Sequence, residues 1–182
     1  YDTSENLITS VWQTTGTASI SLATDFDNSG SQSMKIDYNN SAGQVAEVFM
    51  TPPKTNWPGY NVDALVLYFH GIETNTAQQL YITVSDSSQS LTVNYAEDAD
   101  VISEDWQDWI QWNIDLADFS GIDLSDVSNI TVGISGTGSG TVYIDDIRLY
   151  PIRCRGELVP GDMDGDCEAG SFELEELIEN WL

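Results

Sequence analysis

Hydrophobic and polar residues alternate along most of residues 1–150, and turn-forming residues interrupt the alternation at short intervals. A period of two places successive side chains on opposite faces of a strand, so the pattern predicts strands with one buried face. The predicted strands are LITSVWQ, TASISLA, SQSMKIDY, QVAEVFM, VDALVLYFHG, QLYITVSD, SLTVNYA, DWIQWNIDL, NITVGISG and GTVYIDDIRLY. About ten strands without long amphipathic helices predict an all-β fold, a jelly-roll β-sandwich.

The same alternation separates a predicted core from a predicted surface. On the last strand, Val142 and Ile144 before the pair Asp145–Asp146 are even-numbered, whereas Ile147 and Leu149 after it are odd-numbered. A β-bulge at the acidic pair would let all four face the same side of the strand, so we predict a bulge there. A short helical turn is expected within ADFSGIDLSDVS. The predicted core side chains are Met34, Ile36, Tyr38, Leu65, Leu67, Phe69, Leu80, Ile82, Val84, Ile110, Trp112, Ile114, Leu116, Ile130, Val132 and Ile134.

The outward parity carries aromatic side chains beside amides and hydroxyls, a combination that suits a sugar. An aromatic ring covers the C–H face of a sugar, while polar groups bond to its hydroxyls. Single exposed aromatics are also common on sheets, so an ordinary surface is the alternative. Trp57, Tyr60 and Trp106 fall in loops, where they would cap the core or form a rim. The candidate glycan-binding residues are Trp109, Tyr81, Tyr68, His70, Gln111 and Asn113.

The chain is strongly acidic, with 30 acidic residues against five basic ones and a net charge of −25. Nucleic acids and anionic membranes are poor partners for such a field. No apolar run approaches the roughly 20 residues of a membrane helix, so we expect no membrane insertion. His70 is the only histidine and no G-x-S-x-G motif is present, so a non-catalytic protein is favoured over a small calcium-dependent enzyme.

Carboxylates crowd the last 23 residues, and their spacing matches the calcium loop of an EF-hand. Asp162, Asp164 and Asp166 occupy positions 1, 3 and 5 of that loop, and a glutamate occupies position 12. Position 6 carries Cys167 instead of glycine. A solvated acidic tail is the alternative to a calcium site. The predicted ligands are Asp162, Asp164, Asp166, the backbone carbonyl of Glu168, and Glu173.

An amphipathic helix is predicted directly after this loop. Leu174, Leu177, Ile178 and Trp181 share one helical face, and Ser171 is a suitable N-cap. The loop and helix resemble one half of a type I dockerin, and also the short GD-x-[ND]-GDC…NWL endings of secreted planctomycete-type proteins. The dockerin resemblance implies a cohesin-like partner, although a full dockerin has two such repeats. The apolar face must be buried on the main domain, on a partner or on another copy.

Two cysteines flank the segment between the predicted sandwich and the predicted calcium loop. A disulfide between Cys154 and Cys167 is predicted, which would stabilise by roughly 3 kcal/mol on loop-entropy arithmetic. A disulfide implies a secreted, extracellular or cell-surface protein, whereas two free thiols in a reducing cytosol are the alternative. The predicted organisation is a sandwich over residues 1–150, a linker over 151–160 and the calcium loop with its helix over 161–182.

Four motifs of the predicted sandwich, SGSQSMKIDY, WIQWNIDLADF, SNITVGI and GTVYIDDIRLY, resemble the galactose-binding-like jelly rolls of carbohydrate-binding modules. The resemblance implies a calcium-stabilised glycan-binding module of a secreted or cell-surface protein. A structural matrix or surface-layer protein that self-associates with calcium is the alternative function. The resemblance also implies a calcium site within the sandwich, with candidate ligands Asp2 or Glu5, Asp25, Asp27, Ser31 and Asp145.

Overall fold

The computed structural model describes residues 10–24, 26–95, 102 and 108–151 of the chain. Short 3-10 helices span Pro58–Tyr60 and Leu116–Phe119, and the second overlaps the start of the segment predicted to hold a helical turn. Within this part of the chain, no helix has the length and apolar character needed to cross a membrane. The strands are β1 Gln13–Gly16, β2 Ser19–Ala23, β3 Ser33–Asn39, β4 Val45–Met50, β5 Ala64–His70, β6 Gln79–Ser85, β7 Ser90–Asn94, β8 Ile110–Asp115, β9 Asn129–Ser135 and β10 Ser139–Tyr150.

The strands form two five-stranded antiparallel sheets. Sheet A has the order β1-β4-β9-β6-β7, and sheet B has the order β2-β3-β10-β5-β8. Sequence neighbours therefore alternate between sheets in much of the chain, and the apolar faces of the two sheets enclose one core. The predicted β-sandwich is confirmed.

The core contains the side chains that alternation placed inward. Every member of the predicted core set is buried except Ile110, which is half-buried and packs against the others. Burial of this apolar surface is the main favourable term in folding. Trp57 is also fully buried, and its indole Nε1 donates to the Lys54 carbonyl at 2.9 Å, so it caps the core, whereas Tyr60 is 54% exposed.

The predicted bulge in β10 is confirmed. Ile144 pairs with Phe69 before the irregularity, and Leu149 pairs with Leu65 after it. Ile144 is part of the core and Leu149 packs against it. Asp146 takes up the register shift with a φ of 48°. Aspartate tolerates this left-handed conformation better than most residues. The bulge therefore lets one strand keep its apolar residues inward on both sides of an acidic pair.

The strand predicted over residues 7–13 is wrong at its centre. Ser10 and Val11 are helical, and β1 begins only at Gln13. Trp12, which is 2% exposed, anchors the junction between the helical residues and β1. The apolar residues of LITSVWQ (Leu7, Ile8, Val11 and Trp12) fall in two adjacent pairs, and over so short a segment this pattern does not distinguish a strand from a helical turn.

Candidate glycan-binding face

The outer surface of sheet A, here called the A face, is formed by the outward side chains of four neighbouring strands. Strand register aligns them in rows across the sheet. One row runs from Glu47 on β4 through Gly133 on β9 and Tyr81 on β6 to Asn94 on β7. The A face consists of Val45, Glu47, Phe49, Gln79, Tyr81, Thr83, Ser85, Ser90, Thr92, Asn94, Asn129, Thr131, Gly133 and Ser135.

Tyr81 lies across the position where a side chain at Gly133 would stand. A Cβ at Gly133 would collide with the Tyr81 ring, so only glycine permits this approach. The Tyr81 hydroxyl then donates to Glu47 Oε1 at 2.8 Å. Burial raises the pKa of Tyr81, and the hydrogen bond and charge of Glu47 raise it further. The tyrosine is therefore neutral at ordinary pH, and its donated hydrogen bond orients the carboxylate.

A second row on the A face consists mainly of hydroxyl groups. Phe49 pairs with Thr131, which is followed by Thr83 and Thr92. The Oγ1 atoms of Thr83 and Thr92 lie 2.7 Å apart, so one hydroxyl donates to the other across the strand pair. Together the two rows offer the Glu47 carboxylate, the Asn94 amide, three threonine hydroxyls and the half-buried Phe49 ring, which are the kinds of group that bind sugars, while the Tyr81 ring lies buried beneath them at 8% exposure.

The outer surface of sheet B, here called the B face, is partly covered by the loop between β2 and β3. The Phe26 ring from this loop lies 4.7 Å from the His70 ring, 5.4 Å from Trp109 and 4.7 Å from Tyr143, measured between ring centroids. His70 has the predicted outward parity, yet it is only 3% exposed beneath Phe26. Alternation assigns a side chain to a face but does not show what covers that face.

Three other predicted glycan-binding residues come together on the B face. The Tyr68 hydroxyl donates to Gln111 Oε1 at 2.7 Å, and Gln111 Nε2 donates to Asn113 Oδ1 at 2.7 Å. These half-buried side chains form a chain of hydrogen bonds along β5 and β8. Tyr81 lies on the A face, so the sandwich core separates it from Trp109 and the other four candidates.

Sequence reasoning missed most of the A face. It identified Tyr81, but it did not identify Glu47 or Gly133. The available signal was a glycine inside the alternating strand NITVGISG, because an interior strand glycine often marks a close approach by another group. Which group approaches Gly133 depends on the pairing of β9 with β4 and β6, and alternation along one strand does not reveal its neighbours.

Asp145 and Asp146 fasten the covering loop to β10. Asp145 Oδ2 accepts from the backbone N–H groups of Asn28 at 2.9 Å and Ser29 at 3.3 Å. Its Oδ1 accepts from the Asp146 N–H at 2.8 Å, and Asn28 Nδ2 donates to Asp146 Oδ2 at 2.8 Å. Burial raises the pKa of the Asp145 carboxyl, although the three N–H donors oppose that effect. The acidic pair thus has a hydrogen-bonding role in the fold.

The described surroundings of Asp145 do not fit a bound cation as they stand. Calcium takes oxygen ligands, whereas the groups facing this carboxylate are N–H donors. Within the described ranges, no three histidine, cysteine or acidic side chains are placed to hold a metal ion. Asp27 is half-buried and Ser31 is exposed. A calcium site here stays a prediction, because other candidate ligands lie elsewhere. The predicted site residues that lie outside the described part are Asp2, Glu5, Asp25, Trp106, Cys154, Asp162, Asp164, Asp166, Cys167, Glu168 and Glu173, and the helix predicted after the calcium loop lies outside it too.

The architecture is that of the jelly-roll β-sandwiches found in carbohydrate-binding modules. A family 11 module from Clostridium thermocellum, solved in complex with a β-1,3-1,4-mixed-linked tetrasaccharide, has a TM-score of 0.55 and 14% identity, covering 76% of this chain and 88% of that one. A family 30 module has a TM-score of 0.57 and 13% identity, covering 78% of each chain. Neither a protein-family model nor a curated protein matches the sequence.

The same fold also occurs as one part of larger enzymes. A β-1,2-glucanase from Parabacteroides distasonis has a TM-score of 0.58 and 18% identity, and the match covers 78% of this chain but only 23% of the glucanase. At such identities the similarity establishes the fold alone. The function therefore has to be argued from the residues on the two faces.

Proposed function

We propose that this chain is a non-catalytic glycan-binding module and that its A face holds the polysaccharide. The observation that carries the proposal is the row joining Glu47, Gly133 and Tyr81. Tyr81 is itself only 8% exposed, so it acts as a fixed support that orients the half-buried Glu47 carboxylate, and the ligand contacts fall to Glu47 and to the more exposed side chains beside it. Fixing the binding groups before the ligand arrives lowers the entropy lost on binding.

The exposure of the two faces favours the A face over the B face. On the B face, Phe26 closes the region around His70, and Asp145 is 3% exposed beneath the same loop. On the A face, Thr92 and Asn94 are exposed and Thr83 is half-exposed. The four strands of the A face, at roughly 4.8 Å spacing, span about 14 Å, enough for a short linear chain of sugar rings lying across the sheet.

The charge of the chain favours a neutral polysaccharide as the ligand. A net charge of −25 and the Glu47 carboxylate within the A face disfavour sulfated glycans and polyuronates. The family 11 module with the same fold is described with a β-1,3-1,4-mixed-linked tetrasaccharide. A neutral β-glucan is therefore the first ligand to test, and the tyrosine and threonine rows supply groups for its rings and hydroxyls.

Affinity electrophoresis through gels containing neutral β-glucans tests this proposal. We expect mixed-linked β-glucan to retard the wild type, and Thr83→Ala and Glu47→Gln each to reduce the retardation at least about fivefold, about 1 kcal/mol. Asn113→Ala on the B face is the matched control and should be retarded like the wild type. The proposal would be refuted if only Asn113→Ala lost its retardation. It would also be refuted if no neutral glucan retarded the wild type, and that result would favour the alternative of a structural matrix protein.

We also propose that the tail holds one calcium ion and that Cys154 and Cys167 form a disulfide in a secreted protein. The support is the carboxylate spacing and the positions of the two cysteines in the sequence. Titration calorimetry should find one fewer calcium ion bound by the variant carrying Asp162→Ala and Glu173→Gln than by the wild type. Equal stoichiometry in both proteins would mean that the tail is a solvated acidic segment.

A further inference from the structure

An apolar pocket opens at the end of the sandwich next to the β10 bulge. Its volume is about 210 Å³, and its walls come from both sheets: Met50 and Ile130 from sheet A, and Leu65, Ile147 and Leu149 from sheet B. We call it the bulge pocket. Its size is below the roughly 300 Å³ at which small-molecule sites begin, and its lining is almost entirely apolar. Such a pocket suits one or two apolar side chains and not a sugar chain.

Positive charge is concentrated at this pocket. Lys54 and Arg148 line it, and the rest of the described chain contains only one other lysine or arginine, Lys35. Arg148 pairs with Asp146 at 2.6 Å, while Lys54 lies 5.5 Å from the Tyr60 ring centroid and has no carboxylate partner among the described residues. In a chain of net charge −25, a cation without an acidic partner beside an apolar pocket marks a surface for an acidic, apolar ligand.

The chain itself contains a segment of that chemistry. Residues 171–182 read SFELEELIENWL, and their predicted helix carries an apolar stripe ending at Trp181 beside Glu175, Glu176 and Glu179. This segment follows β10, whose residues Ile147–Leu149 form one wall of the pocket. We propose that the predicted C-terminal helix docks at the bulge pocket of its own chain, with Trp181 from its apolar stripe in the pocket and its glutamates toward Lys54.

The tether favours this intramolecular occupant over a second copy. Residues 151–170 join the sandwich to the helix, and 20 residues of flexible chain have a root-mean-square span of roughly 25 Å. The proposed Cys154–Cys167 disulfide would shorten the path to about eight residues, 151–154 and 167–170, with a span of roughly 16 Å. Either span gives an effective concentration on the order of millimolar, far above ordinary protein concentrations. Docking would also bury the predicted apolar stripe within the same chain. The inference is independent of glycan binding, because the bulge pocket is not part of the A face.

Hydrogen exchange of the full chain, read by mass spectrometry, tests the apolar contact. Trp181→Ser removes the apolar side chain proposed to fill the pocket. The backbone amides of residues 147–149 and 171–180 should then exchange about tenfold faster, because the contact that protects both segments is lost. Asn180→Ala, a neighbouring change on the polar side of the predicted helix, should leave both segments near the wild-type rate. Unchanged exchange at residues 147–149 in Trp181→Ser would overturn the proposal.

A zero-length carbodiimide cross-link tests the charge contact and identifies the occupant. In the wild type we expect Lys54 to link to a glutamate among residues 173–179, and a mixture of light and heavy isotope-labelled protein should give only unmixed pairs. Lys54→Glu should also speed the exchange of the tail, whereas Lys35→Glu, with the same charge change on the B face, should not. Mixed-isotope pairs would assign the pocket to a second copy, and no link to the tail would contradict docking.

Discussion

Gly133 is the residue on which the geometry of the A face depends most directly, because Tyr81 occupies the space of its missing side chain. Gly133→Ala should displace the ring, break the hydrogen bond to Glu47 and lower the free energy of unfolding by about 1–3 kcal/mol. Chemical denaturation measures the loss, and the variant should bind mixed-linked β-glucan more weakly than the wild type.

A double-mutant cycle separates this collision from a general effect of alanine at Gly133. In a Tyr81→Ala background the ring is absent, so Gly133→Ala should lower stability by less than it does in the wild type. Equal losses in both backgrounds would mean that the Tyr81 ring does not depend on the glycine.

Tyr38 should make the protein less stable at high pH. Its hydroxyl is buried without a hydrogen-bond partner among the described residues, and burial raises its pKa to about 12. The folded protein favours the neutral phenol of Tyr38. The contribution of Tyr38 to the free energy of unfolding is therefore intact below the unfolded pKa of about 10, and it is lost as the pH rises from about 10 to 12. Tyr38→Phe should therefore keep full stability at pH 7 and reduce the loss between these pH values by about 2 kcal/mol.

Denaturation at pH 8, 10 and 11.5 checks the Tyr38 prediction. Tyr60→Phe, at a tyrosine that is 54% exposed, is the control and should lose stability with pH as the wild type does. A Tyr38→Phe protein that loses as much stability as the wild type would contradict the assignment.

At the scale of elements, the loop between β2 and β3 depends on Asp145. Asp145→Ala leaves the N–H groups of Asn28 and Ser29 without their acceptor, which should lower stability by about 1–3 kcal/mol. Hydrogen exchange should become faster at residues 28 and 29 and stay unchanged in β6 and β9. Chelation of calcium should leave the wild-type loop protected if N–H donors alone hold it; a loop that loosens on chelation would instead support the predicted calcium at Asp145.

The elements show which parts of the fold follow from the sequence. Alternation predicted the strands, the core and the β10 bulge, because each depends on the parity of residues along one strand. It did not predict that Phe26 covers His70, or that Tyr81 and Trp109 lie on opposite outer faces of the sandwich. Those facts depend on strand order and on the path of a loop, and neither is encoded in the period of a single segment. The helical Ser10 was missed for a different reason, since a short segment with two pairs of apolar residues fits both kinds of element.

At the scale of the whole molecule, charge and shape favour the same ligand class. Among the described residues, the loop that carries Phe26 covers part of the B face, whereas Thr92 and Asn94 are exposed on the A face. The net charge of −25 disfavours acidic polymers. The few cations in the described part lie away from the A face, with two at the bulge pocket and Lys35 on the B face. The proposed ligand of the A face is therefore a neutral glycan, held through threonine hydroxyls, the Phe49 ring and the oriented Glu47 carboxylate.

Amide chemical-shift mapping during titration with a β-1,3-1,4-mixed-linked tetrasaccharide tests the glycan-binding claim most directly. The account predicts that the shifts concentrate on β4, β9 and β6 around Glu47, Gly133 and Tyr81, while amides of β5 and β8 keep their positions. Shifts concentrated on β5 and β8 around Gln111 and Asn113, or no shifts at millimolar ligand, would contradict it.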